Sequence, residues 1–585
     1  MGADTEAHLS GSDFHYDFKN GDKTIKTGYD FVVSTTETSI NDGLRAYLNN
    51  SDQPVQYLCF LVDSQGNVDK TITLDELLKL TKNVNPFTTP AGKVGQAVWQ
   101  PLVDAKFRYG IKLQMGIPPG LQPKDLDIVE FADEDATHVR FRLYCSEVSV
   151  IEFQIPSGWG STDHTLVLHK QPPGKPWYAE MKVNLKVEDL DTQLNTTYLN
   201  NHPTVKQEIK DKLKNLKDTA FSLQQLLYDL DSATLDSTPD FPGLHKGSDV
   251  FPLLQKTFSG TWSKSAAEKG LPLVAIAAVA QSNDSSPLVM SDYQRHVSLQ
   301  TTKDGKNFRT LDYFCLTGNK KLPSNPSLPK FTWNWVVPED KATKSGTMAI
   351  NRTTFANYLK NQLVPHAQKY CGHPIVKVTG DNDDPLKPHI NFFPVRIEYG
   401  KDPDKIEVTE KGKDVIHISY EGYGVDKAHS GLFRLYGAVE VWNKYNCSVT
   451  FAGSSMTIEQ HHVVRFFVQK NSTTDDINAI DRKSTVSYSL QVNDHGRLET
   501  VKGKSSDEDK SQRGDRSLFI DTFSGINAVV NSLKGADLAP PELESINGDK
   551  LQSFIFPGSK AFAYKSVNFS DYQDLVCDIT YANPS

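Results

Sequence analysis

The amino-acid sequence predicts an α+β protein in which long antiparallel strands, each apolar on one face, alternate with amphipathic helices. Three observations lead there. From Phe107 to Ile117 the residues Phe107, Tyr109, Ile111, Leu113, Met115 and Ile117 alternate with Arg108, Gly110, Lys112, Gln114 and Gly116, the period of a half-buried strand. Stripes at helical spacing, such as Ile40, Leu44, Tyr47 and Leu48, flank such strands. The order helix, long sheet, helix occurs twice along the chain.

At 585 residues the chain exceeds what one ordinary core holds. A leader over residues 1–24 is expected, then an N-terminal half over 25–335 and a C-terminal half over 336–585. The boundary follows the loop KKLPSNPSLPKF, rich in Pro, Asn and Ser.

The elements follow in order. Tyr29 to Val33 reads as a strand, and Thr38 or Ser39 as the cap of the Ile40 helix. Leu74 to Leu80 reads as a second helix capped by Thr73. Val139, Phe141, Leu143 and Cys145 form an alternating strand, as do Trp177, Ala179, Met181, Val183, Leu185 and Val187. One polar face per strand implies an antiparallel sheet wetted on one side. A helix is expected from His202-Pro203-Thr204, carrying Val205, Ile209, Leu213 and Leu216. Another carries Val250, Leu254, Phe258 and Trp262 and leads into a buried strand, Leu271 to Ala280.

In the second half Asn351 caps a helix with Phe355, Tyr358, Leu359 and Leu363, and strands follow from Ile375 to Val501. Alternation returns at Val486, Tyr488, Leu490 and Val492, and Asn493-Asp494-His495-Gly496 supplies a hairpin turn. Residues 503–516 read as a solvated loop. Leu518, Phe523, Ile526, Val530 and Leu533 mark a last amphipathic helix.

Composition excludes several classes of function. The net charge of -9 comes with no Lys/Arg block dense enough to track a phosphate backbone, so no nucleic-acid partner is expected. The strongest apolar run, Leu271 to Ala280, is half the length of a spanning helix, so no transmembrane segment is expected. The polar, acidic start MGADTEAHLSGSDFHYDF lacks the pattern of a signal peptide, and Glu6 stands where myristoylation wants Ser or Thr. A cytoplasmic location is expected, and it is compatible with release by a non-standard route. The six cysteines are scattered without a C-x-x-C pair and read as free buried thiols.

The sequence carries no H-E-x-x-H, G-x-S-x-G, Walker-type loop or EF-hand pattern, and neither a cofactor nor a resident metal is expected. Four partial signals have plainer readings. His461 and His462 are strand neighbours facing opposite ways. Gly380-Asp381-Asn382-Asp383-Asp384-Pro385 reads as a solvated turn, and Tyr420-Glu421-Gly422-Tyr423-Gly424 as another turn. Trp333 and Trp335 read as core or interface residues rather than a stacking platform.

Five stretches together resemble one family: Gly28-Tyr29-Asp30-Phe31-Val32-Val33 before the Ile40 helix, Phe221 to Asp231 (FSLQQLLYDLD), Leu271 to Ala280, Met348-Ala349-Ile350-Asn351, and the terminal FIFPGSKAF…LVCDITY. They are similar to the clostridial toxin-cluster 47-kDa protein family and its fungal and bacterial relatives, within the tubular lipid-binding (TULIP) superfamily. The resemblance implies two halves of long, curved antiparallel sheets wrapped around long amphipathic helices in an elongated body with apolar grooves, and no catalytic residues.

The function expected is non-catalytic binding of a lipid or other elongated apolar ligand in a sheet/helix groove. Lining candidates are Phe107, Ile111, Met115, Met181 and Leu185, with Ile40 and Leu44 opposite. The plain alternative is that these residues form the core. Two other functions are open to this sequence: a toxin-associated or defence protein that binds a protein partner, and an enzyme whose site is assembled from distant residues.

Overall fold

The computed structural model describes residues 15–20, 23–49, 55–131, 138–142, 144–156, 163–178, 180–189, 203, 221–235, 241–258, 275–282, 288, 290–301, 307–322, 335–336, 344–381, 387–409, 412–431, 435–494, 496, 498–512, 538–543, 554–556 and 560–582. The first elements are the hairpin β1 (His15–Asn20) and β2 (Lys23–Gly28), then β3 (Phe31–Thr36), α1 (Glu37–Leu48), β4 (Val55–Val62), β5 (Val68–Ile72), α2 (Leu74–Leu80), β6 (Gly92–Lys93) and α3 (Gln96–Asp104). Next come β7 (Phe107–Met115), β8 (Val129–Phe131), β9 (His138–Arg142), β10 (Cys145–Gln154), β11 (Thr165–Lys170), β12 (Glu180–Asp189), β13 (Phe221–Leu235), α4 (Val250–Lys256), β14 (Ala275–Ser282), β15 (Met290–Thr301) and β16 (Asn307–Thr317). The second half begins with β17 (Gly346–Ile350), α5 (Arg352–Ala367) and five four-residue strands: β18 (Gly372–Ile375), β19 (Val378–Asp381), β20 (His389–Phe392), β21 (Arg396–Tyr399) and β22 (Lys405–Val408). It ends with β23 (Asp414–Ser430), β24 (Leu435–Ala452), β25 (Ser455–Lys470), β26 (Thr473–Val492), β27 (Leu498–Asp509), β28 (Phe554–Phe556), β29 (Lys560–Phe569) and β30 (Leu575–Ala582). With thirty strands and five α-helices among the described residues, the protein is mostly β rather than α+β.

Among the described residues, every strand pair in the large sheets is antiparallel. A twelve-stranded sheet runs β15-β16-β3-β17-β30-β29-β28-β14-β13-β12-β9-β8, and two six-stranded sheets run β5-β4-β7-β10-β11-β6 and β22-β23-β24-β25-β26-β27. The twelve-stranded sheet takes strands from both sides of position 335. Its last-made strands, β28 to β30, join the β15-β16-β3-β17 block to the β14-β13-β12-β9-β8 block.

Local signals explain most of the boundaries. Thr73 and Glu76 form a complete capping box on α2, and the Asn351 side chain accepts from Thr353 N at 2.8 Å to cap α5. For α1 the cap is Thr36, whose hydroxyl accepts from Ser39 N at 3.1 Å. Thr38 and Ser39, expected as caps, lie inside the helix. Gly496, at φ +69°, closes the expected hairpin, with Val492 paired to Leu498.

Four other expectations change. The strand expected over Val139 to Cys145 is two: β9 belongs to the twelve-stranded sheet and β10 to a six-stranded one, so continuous alternation hides a change of sheet. Tyr420 to Gly424 is mid-strand in β23, not a turn. Its glycines serve close backbone approach. A Cβ at Gly422 would lie 2.6 Å from Gly372 O, and one at Gly424 2.4 Å from Pro374 O. Residues 503–509, expected as loop, continue β27 as an exposed edge strand. Finally, the sheet face carrying Cys59, Phe107, Ile151 and Phe153 is not wetted, because α2 and α3 cover it with Leu77 and Leu102 in a separate small core. The helices expected from residue 202 and over 518–533 lie outside the described residues, apart from Pro203.

Candidate functional site

The candidate site is built from two helix-on-sheet units. In the first, Ile40, Leu44 and Leu48 of α1 are buried with Ile111, Leu113 and Met115 of β7, Val129 and Phe131 of β8, Phe141 of β9 and Met181 of β12. Five of the seven residues expected from the sequence therefore share one cluster: Ile40, Leu44, Ile111, Met115 and Met181. Leu185 lies in β12 opposite Tyr228, and its side chain is outside the described residues.

Phe107 is not with them. Between Tyr109, paired with Phe60, and Phe107, paired with Leu61, the register shifts by a bulge in β7. The extra residue turns Phe107 to the far face of the sheet, into the small core with Cys59 and Phe153. Strict alternation in the sequence gives no sign of it.

Beside its apolar stripe α1 carries a polar one, Glu37, Asn41 and Arg45, four residues apart. This stripe fastens the helix to the open edge of β8. Asn41 Oδ1 accepts from Ile128 N at 2.8 Å and Val129 N at 2.9 Å, and its Nδ2 donates to Val129 O at 2.8 Å. Phe131 N donates to Glu37 Oε2 at 2.8 Å, and Arg45 Nε donates to Leu126 O at 2.6 Å. Arg309 of β16 reaches Glu130 of β8 at 3.3 Å and Glu37 at 3.9 Å. The two ends of the twelve-stranded sheet thus approach one another, with α1 closing the seam between them by side chains.

Burial pushes the Glu37 carboxyl up to about 7, with Glu130 and Asp127 adding to the rise against the Phe131 amide and Arg309. The folded state holds this proton more tightly than the unfolded chain. Glu37 therefore contributes full stability below the ordinary carboxyl range and loses it as pH rises through about 7. Between pH 5 and 8 the loss is expected to be about 2–3 kcal/mol, and Glu37→Gln should flatten it. Urea unfolding of both proteins across that range checks the slope; equal slopes would remove Glu37 as its source.

In the second unit α5 lies against the 16- to 20-residue strands β23 to β26. Phe355 meets Phe451, Phe569 and Tyr358 with ring centroids 5.5, 5.8 and 6.2 Å apart. Leu359 and Leu363 join Ile416, Ile418, Val449 and Ile458. Past the end of α5 the buried surface turns polar. Tyr370 stacks on Tyr445 at 5.4 Å, and Gln460 Oε1 accepts from Tyr445 OH at 2.8 Å and lies 3.0 Å from His366 Nε2. Sequence reasoning missed these groups. Only the inward parity of Tyr445, Gln460 and Tyr488 could have pointed to them.

The histidine neighbours do face opposite ways. His461 Nε2 lies 2.8 Å from Asp481 Oδ1, whereas His462 is buried against Asn443 Oδ1 at 2.9 Å and burial lowers its pKa to about 4. All six cysteines are buried and free, and burial raises each thiol, which makes them poor nucleophiles. Among the described residues no group of three or more His, Cys, Asp or Glu is placed to hold a metal ion, and no helix is long and apolar enough to cross a membrane.

No family model and no curated protein sequence matches the chain. Among solved structures it is similar to P47 from Clostridium botulinum A2, at 10% identity and a TM-score of 0.37 over 94% of this chain and 96% of that one. P47 of Clostridium botulinum E1 matches at 10% identity and 0.37, over 95% and 99%. A lipopolysaccharide binding protein matches at 10% identity and 0.27, over 95% and 100%. The first two carry the name of the clostridial family that the sequence resembles.

Proposed function

We propose that this protein is a non-catalytic binder of a lipid or another elongated apolar ligand, held between a long antiparallel sheet and an amphipathic helix. In this reading the chain forms two halves of curved sheet wrapped around helices in an elongated body. The observation that carries it is the continuity of the apolar interior. One cluster runs from Ile40, Leu44 and Ile111, through Val33 and Met348 of adjacent strands, to Phe355, Leu359 and Ile416. An extended ligand needs such a track, since each buried methylene contributes about 0.8 kcal/mol and a sixteen-carbon chain roughly 12 kcal/mol before entropic costs.

On the α1 side, Ile40, Leu44, Ile111, Met115, Met181 and Leu185 are the lining residues proposed. Phe107, on the far face, is left out. No charged anchor is required, and a location in the cytoplasm remains part of the proposal.

Organic extraction of the purified protein followed by mass spectrometry is expected to yield an enriched lipid, and a fluorescent fatty acid or phospholipid should be taken up saturably. Finding neither an enriched lipid nor saturable uptake would sink the proposal.

A further inference from the structure

The segment Leu538-Ala539-Pro540-Pro541-Glu542-Leu543 lies outside every helix and strand, yet side chains of the second unit hold it by its main chain. Ala539 N donates to Tyr370 OH at 3.0 Å, Gln460 Nε2 donates to Ala539 O at 3.2 Å, and Tyr488 OH donates to Pro541 O. The Gln460 amide is itself oriented by Tyr445 OH on its oxygen, which leaves its NH2 to face the segment. Burial within the segment falls on Leu538 and Pro541, while Ala539 and Glu542 are exposed. That spacing of three is the period of a polyproline II helix, whose backbone makes no internal hydrogen bonds and offers its carbonyls outward.

Tyrosine hydroxyls and an amide on the main chain, with apolar pegs three residues apart, form a recurring way of recognising proline-containing peptides. None of the three hydrogen bonds reads a side chain of the segment, so the recognition is not tied to this one sequence. We infer that the cleft between the C-terminal end of α5 and the inner face of β24 to β26 is a peptide-binding site. It takes extended segments of the form apolar-x-x-Pro, and residues 538–543 are its occupant within the chain. When its own segment is withdrawn, the cleft accepts such a peptide from a partner protein. Tyr370, Tyr445, Tyr488 and Leu538 belong to the same buried cluster as the proposed ligand track, but the readout of this site involves no lipid.

The test is a fluorescence-anisotropy titration of labelled synthetic LAPPEL against the full chain and a Pro540→Gly/Pro541→Gly double variant, in which the segment loses its preference for the extended form. The double variant is expected to bind at least tenfold more tightly than the parent, and adding Tyr370→Phe and Tyr488→Phe should weaken that binding at least tenfold. The peptide LAGGEL should bind at least tenfold more weakly. Leu538→Ser, which removes the other peg, should behave like the double variant and serves if that variant fails to fold. In the full chain, Tyr488→Phe alone should speed hydrogen exchange over residues 538–543 several-fold. The inference is overturned by equal peptide affinity in parent and loosened variants, by binding indifferent to the two tyrosine hydroxyls, or by unchanged exchange in Tyr488→Phe.

Discussion

Replacing Asn41 by alanine is expected to destabilise the protein by about 4 kcal/mol, because three backbone groups of Ile128 and Val129, at the start of β8, lose their partner at once. Asn41 is 3% exposed, and its amide satisfies Ile128 N, Val129 N and Val129 O together. A buried group left without a hydrogen bond costs about 1–3 kcal/mol. The seam admits some relaxation, so the sum falls below three times the upper value. Asn41→Asp should recover part of the loss by keeping the two acceptor contacts, but not the donor contact to Val129 O. Hydrogen exchange over residues 126–131 reads the effect directly and needs no all-or-none unfolding. An Asn41→Ala protein with parental protection there would show that the helix does not hold the strand edge.

The second large effect is expected at Phe355, fully buried between β24 and β29. Phe451 and Phe569 stack on one another with centroids 4.4 Å apart, and both lie against the Phe355 ring. Truncation to alanine opens a cavity where α5, the long sheet and the twelve-stranded sheet meet, and such changes cost about 3–5 kcal/mol. Phe355→Leu, which fills most of the space, should lose less than half as much. Melting temperatures of the two variants rank them, and equal losses would mean that the aromatic contacts themselves, not the volume, hold the junction.

Much of this was legible in the sequence because the determinants are local. Thr73 and Asn351 cap their helices as their side-chain chemistry dictates, and the Val486 to Val492 alternation and Gly496 turn are properties of neighbours in the chain. Three stretches that carried the family resemblance prove to be adjacent strands, β3, β17 and β30. What could not be read depends on distant partners. The bulge that turns Phe107 away is set by its register with β4, and the glycines of β23 answer to the crossing backbone of β18. Asn41 looks like an ordinary helical residue until β8 arrives beside it. The expected apolar set was recovered in part for the same reason: parity fixes which residues share a face, but not which face lies against which helix.

The placement of β28 to β30 bears on how the protein is made. These strands come from the end of the sequence given, yet they occupy the middle of the twelve-stranded sheet. During synthesis at about 5–20 residues per second, β17 waits on the order of tens of seconds for its partner β30 to emerge. Until residue 582 has left the ribosome, two strand blocks wait with unpaired inner edges, β17 on one and β14 on the other. Pairings this far apart in the chain are slow to form, and open edges invite the wrong partner. The nascent chain is therefore most in need of a chaperone in the interval before β28 to β30 have emerged.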